Sequence, residues 1–205
     1  MLSINDLGGY QSIDALRASI VPPHHNAYRL ECFSSEFEAL STTPDTINPI
    51  HLRPTVMDVS LDNLEHNFLA IQAAVGSSEV MPIVKSNAYG HGLVACGRHL
   101  ERVGARCLGV ALLEEGIQLR QGGVKIPILV LGGIFGSQVK YFLDYDLDLL
   151  ASSVYKLDTI EEVAKAAGKR ARVHLEIDTG MERIGVHYYT ADSLLERARR
   201  CIHAD

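Results

Sequence analysis

Short strands that alternate with helices are the feature of this sequence that most restricts its fold. From Val80 onward, near-continuous runs of Val, Ile and Leu begin near residues 80, 107, 127, 147 and 171, and a helical pattern follows each of them. Strands this apolar are buried on both faces, which is typical of a parallel sheet covered by helices. The sequence therefore predicts an α/β fold with about five β/α units.

Two architectures share this alternation, the doubly wound sheet and the (β/α) barrel. A complete eight-stranded barrel takes about 250 residues, whereas this chain has 205. It ends at Asp205, directly after an apolar-faced helix, where a sixth strand would be expected. We therefore expect a partial (β/α) TIM-type barrel that stops after its fifth unit, and an open sheet is the alternative.

The first part of the chain differs in character from the rest. It contains VPPHH, STTPDT and NPIHLRP, which are rich in turn-forming residues, and its apolar residues are thinly spread. We predict that residues 1–52 are an N-terminal extension, poorly ordered or the tail of a fused domain, and that residues 53–205 form the barrel part. There, TVMDV predicts a strand, and Ser60 is expected to cap a helix that begins at Leu61.

Composition and charge exclude several classes of function. Hydrophobic residues make up 47% of the chain and the net charge is −6, which disfavours nucleic acid and anionic membranes as partners. No run approaches the roughly 18 apolar residues of a membrane span, and the N-terminus lacks the basic start of a signal peptide. The cysteines show no metal-ligand spacing. We expect a cytoplasmic protein with a small-molecule site and no bound metal.

Lys85 is the first candidate for chemistry. It ends the strand VMPIV, and the loop SNAYGHG follows it. Because sites form at the carboxyl ends of parallel strands in both sheet types, Lys85 is expected at the edge where a ligand binds. Partial desolvation there favours the neutral amine, which attacks a carbonyl group to form a Schiff base. The structural alternative is a strand-end lysine that only reaches into solvent.

The segment VKSNAYGHG resembles the cofactor-attachment motif of alanine racemases. In that family the lysine binds pyridoxal 5'-phosphate covalently, and the tyrosine four residues later hydrogen-bonds the cofactor phosphate. The resemblance implies that Lys85 is the catalytic and cofactor-binding lysine and that Tyr89 is a cofactor-binding phosphate ligand. His91 lies between two glycines, and we expect a structural role for it in the loop.

A second segment, HLEIDTGMERIGV, resembles the family's strand and loop of the form L-K-x-D-T-G-M-x-R-x-G. The resemblance implies that Arg183 faces the substrate carboxylate. The family's lysine, which is carbamylated in several members, is Glu176 here, so a supporting anion is present without the modification. Glu176 is predicted to pair with Arg183, and Asp178 is expected to fix the TGM turn through backbone N–H groups.

The resemblance extends from about Arg53 to Asp205, because RPTVMDVSLDNLEHNF is similar to the segment that precedes the family's barrel. It implies a pyridoxal-phosphate-dependent isomerase that interconverts L-alanine and D-alanine for peptidoglycan and is a homodimer at full length. The family's second base, a tyrosine, falls beyond Asp205, so the 205-residue chain alone is predicted to be inactive or nearly so.

Three alternatives stay open. A serine or broad-specificity amino-acid racemase of the same fold is the first, since pocket residues decide side-chain selectivity and Glu176 departs from the family pattern. A non-catalytic fragment that binds pyridoxal phosphate is the second. The third, a metal site of His91, His99 and Glu101, is disfavoured because their spacing does not make the side chains converge.

Overall fold

The computed structural model describes residues 27–30 and 57–205. The chain divides into two compact units, and the division along the sequence falls between Ala74 and Val75. The predicted boundary at residue 52 lies outside the described residues, and so do the predictions for the rest of 1–52 apart from the four residues of one strand. Within the described part of the chain, no helix is long and apolar enough to cross a membrane.

The first unit contains a strand pair followed by a helix. Strand β1 (Ala27–Leu30) pairs antiparallel with β2 (Met57–Ser60), and α1 (Leu61–Ala74) follows directly. The Ser60 hydroxyl accepts a hydrogen bond from the Asn63 amide at 3.2 Å, which satisfies one of the free N–H groups of the first helical turn. The capped helix is therefore confirmed at the predicted residue.

The second unit repeats strand and helix along the chain. Its helices are α2 (Leu93–Arg102), α3 (Leu113–Gln121), α4 (Val139–Asp144), α5 (Val154–Ala167) and α6 (Asp192–Ala198). Its strands are β3 (Leu108–Val110), β4 (Ile128–Val130), β5 (Leu149–Ala151), β6 (Val173–Leu175), β7 (Ile177–Asp178) and β8 (Val186–His187). Short 3₁₀ turns span Gly136–Gln138 and Tyr188–Thr190.

Strand order decides between the two predicted architectures. From Ile83 to β6, each strand position pairs in parallel with the next one along the chain, through the bridge Ile83 to Gly109, the pair β3–β4, the bridge Leu129 to Asp148 and the pair β5–β6. A doubly wound sheet would reverse its order at a switch point, whereas a barrel keeps chain order. The unit is thus part of a (β/α) barrel, as predicted.

A sixth strand position follows the last helix. Ala204 bridges Ala171 in parallel. The amide of Ala171 donates to His203 O at 2.7 Å, and the amide of Asp205 donates to Ala171 O at 2.8 Å. The Glu161 carboxylate holds the same segment by accepting from three consecutive amides, which belong to Ile202, His203 and Ala204.

The core lies between the strands and the surrounding helices. A Cβ placed at Gly97 of α2 would lie 3.4 Å from the Leu108 side chain, so this face of β3 meets the helices. The fully buried residues include Leu108, Val110, Ile128, Val130, Leu149 and Ala151 on the strands and Leu119, Phe142, Leu157, Ile160 and Leu194 on the helices. Gly109 faces the opposite way, towards Ile83 and Leu131 of the neighbouring strands, so its face is the inner face of the barrel.

Some predicted boundaries were wrong. The segment TIEEVAKAAG predicts a helix from Thr159, but the helix begins at Val154, because Ser153 caps it by accepting from the Lys156 amide at 3.2 Å. The segment TADSLLERARRCI predicts a final helix up to Ile202, but this helix spans Asp192–Ala198, after which the chain turns to meet Glu161. The strand predicted up to Lys85 makes one bridge, at Ile83, because the backbone turns immediately afterwards.

Candidate active site

The predicted site residues lie at the carboxyl ends of the parallel strands. Lys85 follows the first strand position, and Glu176 follows β6, four strand positions further along the sheet. Arg183 lies in the loop after β7. In (β/α) barrels this rim carries the chemistry, whereas the opposite rim contributes stability. The tertiary structure therefore brings both sequence segments to the same rim of the unit.

The backbone before Lys85 is fixed by the neighbouring strand. The Val84 amide donates to Gly109 O at 2.8 Å, and the Gly109 amide donates to Pro82 O at 2.9 Å. Val84 itself is buried, with 3% of its surface exposed. Lys85 thus leaves a rigid strand end, and its side chain is half-buried at the rim.

Immediately after Lys85 the chain forms a left-handed helical turn, Lys85–Tyr89, where the sequence analysis predicted an ordinary loop. Residues 86–89 all have φ between 53° and 56°. For residues with a Cβ this conformation costs roughly 1–2 kcal/mol each, and a run of four is exceptional. Such strain persists only where surrounding contacts determine the backbone, and it concentrates at functional sites.

Hydrogen bonds within the turn hold this backbone. The Ala88 amide donates to Val84 O at 2.8 Å, and the Gly92 amide donates to Asn87 O at 2.9 Å. The Asn87 side-chain oxygen accepts from the Leu93 amide at 2.8 Å, which joins the turn to the start of α2. His91 Nδ1 lies 2.8 Å from Ala88 O. The structural role expected for His91 agrees with this contact.

The turn brings the two residues of the first motif together. Lys85 Nζ lies 6.0 Å from the centre of the Tyr89 ring, so the ammonium group is at the limit of cation–π range. The Tyr89 side chain is 61% exposed on the rim. Its phenol is therefore accessible to a ligand that is anchored at Lys85.

The second motif is a turn organised by Asp178. Its Oδ1 accepts from the Gly180 amide at 2.7 Å. Hydrogen bonds from the amides of Gly180, Glu182 and Met181 lower the pKa of the Asp178 carboxyl group and outweigh its burial. This is the structural role predicted for Asp178.

The end of the same loop is anchored on the backbone of Glu176. The Val186 amide donates to Glu176 O at 3.0 Å. Gly185, at φ 104°, approaches so closely that a Cβ would lie 2.8 Å from Glu176 O. Only glycine fits there. Arg183, two residues earlier, is thereby kept near the Glu176 carboxylate.

The electrostatics of Glu176 are unusual for a rim residue. Burial raises the pKa of its carboxyl group, the positive charge of Arg183 lowers it by less, and the negative charge of Asp178 raises it further. Its Oε2 is buried without a hydrogen-bond partner. Among the ion pairs of the described residues, none within 4 Å joins Glu176 to Arg183. The two residues interact through their charges, and the predicted direct pair stays a prediction.

Glu115, which lies outside both sequence motifs, contacts the Lys85 turn. Its carboxylate accepts from the Ser86 amide and also from the amides of Ala111 and Leu112 at 2.9 and 3.1 Å. The available signal was a glutamate in the third position of a helix, where it often binds the amide of the capping residue. The contact with Ser86, which lies 29 positions earlier in the chain, cannot be recognised from the local sequence.

The third alternative, a metal site, receives no support. Across residues 27–30 and 57–205, no three His, Cys, Asp or Glu side chains are grouped so that they could hold a metal ion. Glu101 accepts from the amides of Lys125 and Ile126 at 2.8 and 2.9 Å, and His91 contacts the backbone of its own turn. These side chains stabilise the fold.

Comparison with known proteins identifies the family. The family model described as alanine racemase, N-terminal domain, matches residues 59–205. The alanine racemase of Geobacter sulfurreducens is 36% identical over 154 residues, which cover 75% of this chain and 40% of that protein. The chain thus spans about 40% of the length of this curated relative.

Solved structures agree with the sequence relatives. Alanine racemase from Oenococcus oeni matches with a TM-score of 0.64 and 31% identity, over 71% of this chain and 42% of that one. A histidine racemase from Leuconostoc mesenteroides matches with a TM-score of 0.67 and 26% identity, over 71% of this chain and 40% of that one. Since the family model covers well over half of the residues, this chain belongs to the alanine racemase family, with residues 59–205 matching its N-terminal domain.

Proposed function

We propose that this chain supplies the cofactor-binding part of an alanine racemase, an isomerase that interconverts L-alanine and D-alanine. The observation that carries the proposal is the strained left-handed turn directly after Lys85, on the rim that also holds Glu176 and Arg183. A strained backbone beside a half-buried amine is typical of a functional site. Family membership supports the reaction type.

The residues of the turn fit pyridoxal 5'-phosphate. Lys85 offers a primary amine for covalent attachment at the end of a rigid strand, and Tyr89 offers an exposed phenol within the same turn. When bound, the cofactor supplies an electron sink that makes the α-proton of an amino acid acidic. The chemistry of this donor set therefore suits the group that the family resemblance implies.

The chain's own residues would then have distinct tasks. Lys85 Nζ would hold the cofactor and would also be placed to accept or return the α-proton on one face of the substrate. Arg183 is exposed on the rim, and its guanidinium group suits a substrate carboxylate. Glu176 orients that guanidinium group through its charge. By the same resemblance, the full-length protein would be a cytoplasmic homodimer that provides D-alanine for peptidoglycan.

The proposal is tested by trapping the covalent attachment. The chain is incubated with pyridoxal phosphate, reduced with borohydride and digested, and the pyridoxyl group is located by mass spectrometry. We expect the label on Lys85 at cofactor concentrations that leave the exposed Lys140 unlabelled. Lys85→Arg serves as the control that keeps the charge and removes the reactive amine. Equal labelling of both lysines, or none on Lys85, would overturn the proposal.

A racemase for another amino acid is the second candidate. Glu176 replaces the lysine of the family pattern, and the structure is also similar to a histidine racemase. Side-chain selectivity depends on the pocket around the substrate, where one added or missing methylene changes rates by only about 10–200-fold. Racemisation of alanine, serine and histidine by the full-length protein, measured side by side, distinguishes the two candidates.

A further inference from the structure

Glu115 joins two strand ends through one carboxylate. Oε2 accepts from the amides of Ala111 and Leu112, at 2.9 and 3.1 Å, where the chain leaves β3 and enters α3. Oε1 accepts from the amide of Ser86, the first residue of the left-handed turn to have a positive φ. The carboxylate thus fastens the Lys85 turn to the neighbouring β/α loop.

The Ser86 amide is where this contact acts on Lys85. A peptide group is planar, so the Lys85 Cα, its carbonyl group and the Ser86 amide lie in one plane. A bond to the Ser86 N–H therefore fixes the orientation of the plane through which the chain leaves Lys85. Within the turn, the later amides of Ala88, Gly90 and Gly92 have backbone acceptors, whereas the Ser86 amide donates to Glu115.

A carboxylate is required for this arrangement. Two oxygens with no hydrogen accept from three N–H groups, and the negative charge strengthens each bond. An amide side chain offers one accepting oxygen, and its NH₂ group would face a backbone donor. Glu115→Gln therefore breaks at least one side of the link while it preserves the size of the side chain.

We propose that Glu115 is a positioning residue for Lys85, which holds the left-handed turn in the conformation needed for covalent attachment of the cofactor. The inference rests on the proposed function and adds to it a residue outside both sequence motifs. Glu115 itself touches neither the amine nor the ring of Tyr89 in the described contacts. It acts through the Ser86 peptide group.

The first test measures the link without any cofactor. Amide hydrogen exchange of the unmodified chain should show protection at Ser86, although that residue is exposed. In Glu115→Gln, protection should fall at Ser86 and Leu112 while β4 and β5 keep theirs. Rapid exchange at Ser86 in the unmodified chain would overturn the inference. So would a variant in which β4 and β5 lose protection equally, because Glu115 would then act on the whole unit.

The second test measures attachment at Lys85. The pyridoxal phosphate concentration that gives half-maximal borohydride-trapped label at Lys85 should rise at least about tenfold in Glu115→Gln, equivalent to about 1.4 kcal/mol. Glu114→Gln is the matched control, since it removes the same charge from the exposed neighbour in the same helical turn. It should change that concentration by less than about twofold.

A further variant separates positioning from general stability. Ile160→Val removes one methyl group from a fully buried side chain in α5 and lowers stability without touching the turn. It should label like the unmodified chain. If Glu115→Gln also labels like the unmodified chain, the positioning role is refuted. If the unmodified chain carries no label on Lys85, the proposed function fails, whereas the exchange experiment still reports whether Glu115 holds the turn.

Discussion

Replacing Glu176 with glutamine should stabilise the chain and weaken its site. The pKa of the Glu176 carboxyl group is raised by burial and by Asp178 despite the opposing charge of Arg183, so its surroundings as a whole disfavour the charged form. Glutamine has nearly the same shape and no charge. At neutral pH the variant should therefore unfold less readily than the unmodified chain.

The size of this effect follows from the buried oxygen. Glu176 Oε2 has no hydrogen-bond partner, so no donor compensates the carboxylate charge there. Glutamine keeps a polar atom at the same place and removes only the charge, so it recovers part of the roughly 1–3 kcal/mol that an unsatisfied buried group costs. Glu176 is only half-buried, and solvent screens the rest of its charge. We therefore expect Glu176→Gln to raise the free energy of unfolding by about 1 kcal/mol at pH 7.

The gain should depend on pH with a definite sign. The folded-state pKa of Glu176 is raised above the ordinary value of 4.5. The contribution of the protonated Glu176 carboxyl group to folding stability is therefore complete below about pH 4.5 and is lost as the pH rises through the folded-state pKa. The difference between the two proteins should thus be small at pH 4.5 and larger at pH 7. Full-length Glu176→Gln enzyme should meanwhile bind substrate more weakly, by up to about 1 kcal/mol, because the screened charge that orients Arg183 is lost.

Urea denaturation at both pH values measures the first effect. Far-ultraviolet circular dichroism is the suitable signal because the chain has no tryptophan. Glu162→Gln, which changes an exposed glutamate in α5, is the control for loss of one negative charge and should change stability at pH 7 by less than Glu176→Gln does. A Glu176→Gln chain that is less stable than the unmodified one at pH 7, or a difference that does not vary with pH, would refute the reasoning.

Two further predictions concern stability. Phe142→Ala should lower the free energy of unfolding by about 3–5 kcal/mol, because the Phe142 side chain is 1% exposed in the core. The neighbouring Tyr141 side chain is 49% exposed, so Tyr141→Ala should lower that free energy much less. Equal losses in urea denaturation would contradict the described packing. Asp178→Asn should make the free energy of unfolding depend less on pH in the acid range. The lowered pKa of Asp178 gives stability that is present above its ordinary value of 3.8 and is lost as the pH falls through the folded-state pKa. If an acid titration followed by circular dichroism is the same in Asp178→Asn as in the unmodified chain, the amide contacts of Asp178 do not form.

The alternation of strands and helices could be predicted because apolar residues recur within each short segment at the spacing of a strand or of a helix. Runs such as IPILVL and the apolar stripes of the helices need no knowledge of distant residues. The rim position of Lys85 followed from the same pattern, since a residue at the carboxyl end of a parallel strand always lies on that side. Helix starts were harder to predict, because other residues further along the chain could equally have begun the helix that Ser153 caps.

The left-handed turn could not have been predicted from its own residues. Of residues 86–89, only Asn87 belongs to the types that favour positive φ, whereas serine, alanine and tyrosine oppose it. The conformation depends on bonds that form once the strands are aligned, including that from Ser86 to Glu115. Here the tertiary contacts outweigh the local preference.

By itself, the sequence determined the fold class and the family and predicted the site residues Lys85, Tyr89, Glu176 and Arg183, because these depend on local patterns and on motifs of fixed spacing. Only the tertiary structure decided the strand order, the backbone conformation after Lys85 and the surroundings of Glu176. The physical reason is the same for all three. Each depends on which distant segments meet, and the burial and hydrogen bonds that result have no counterpart in the isolated segments.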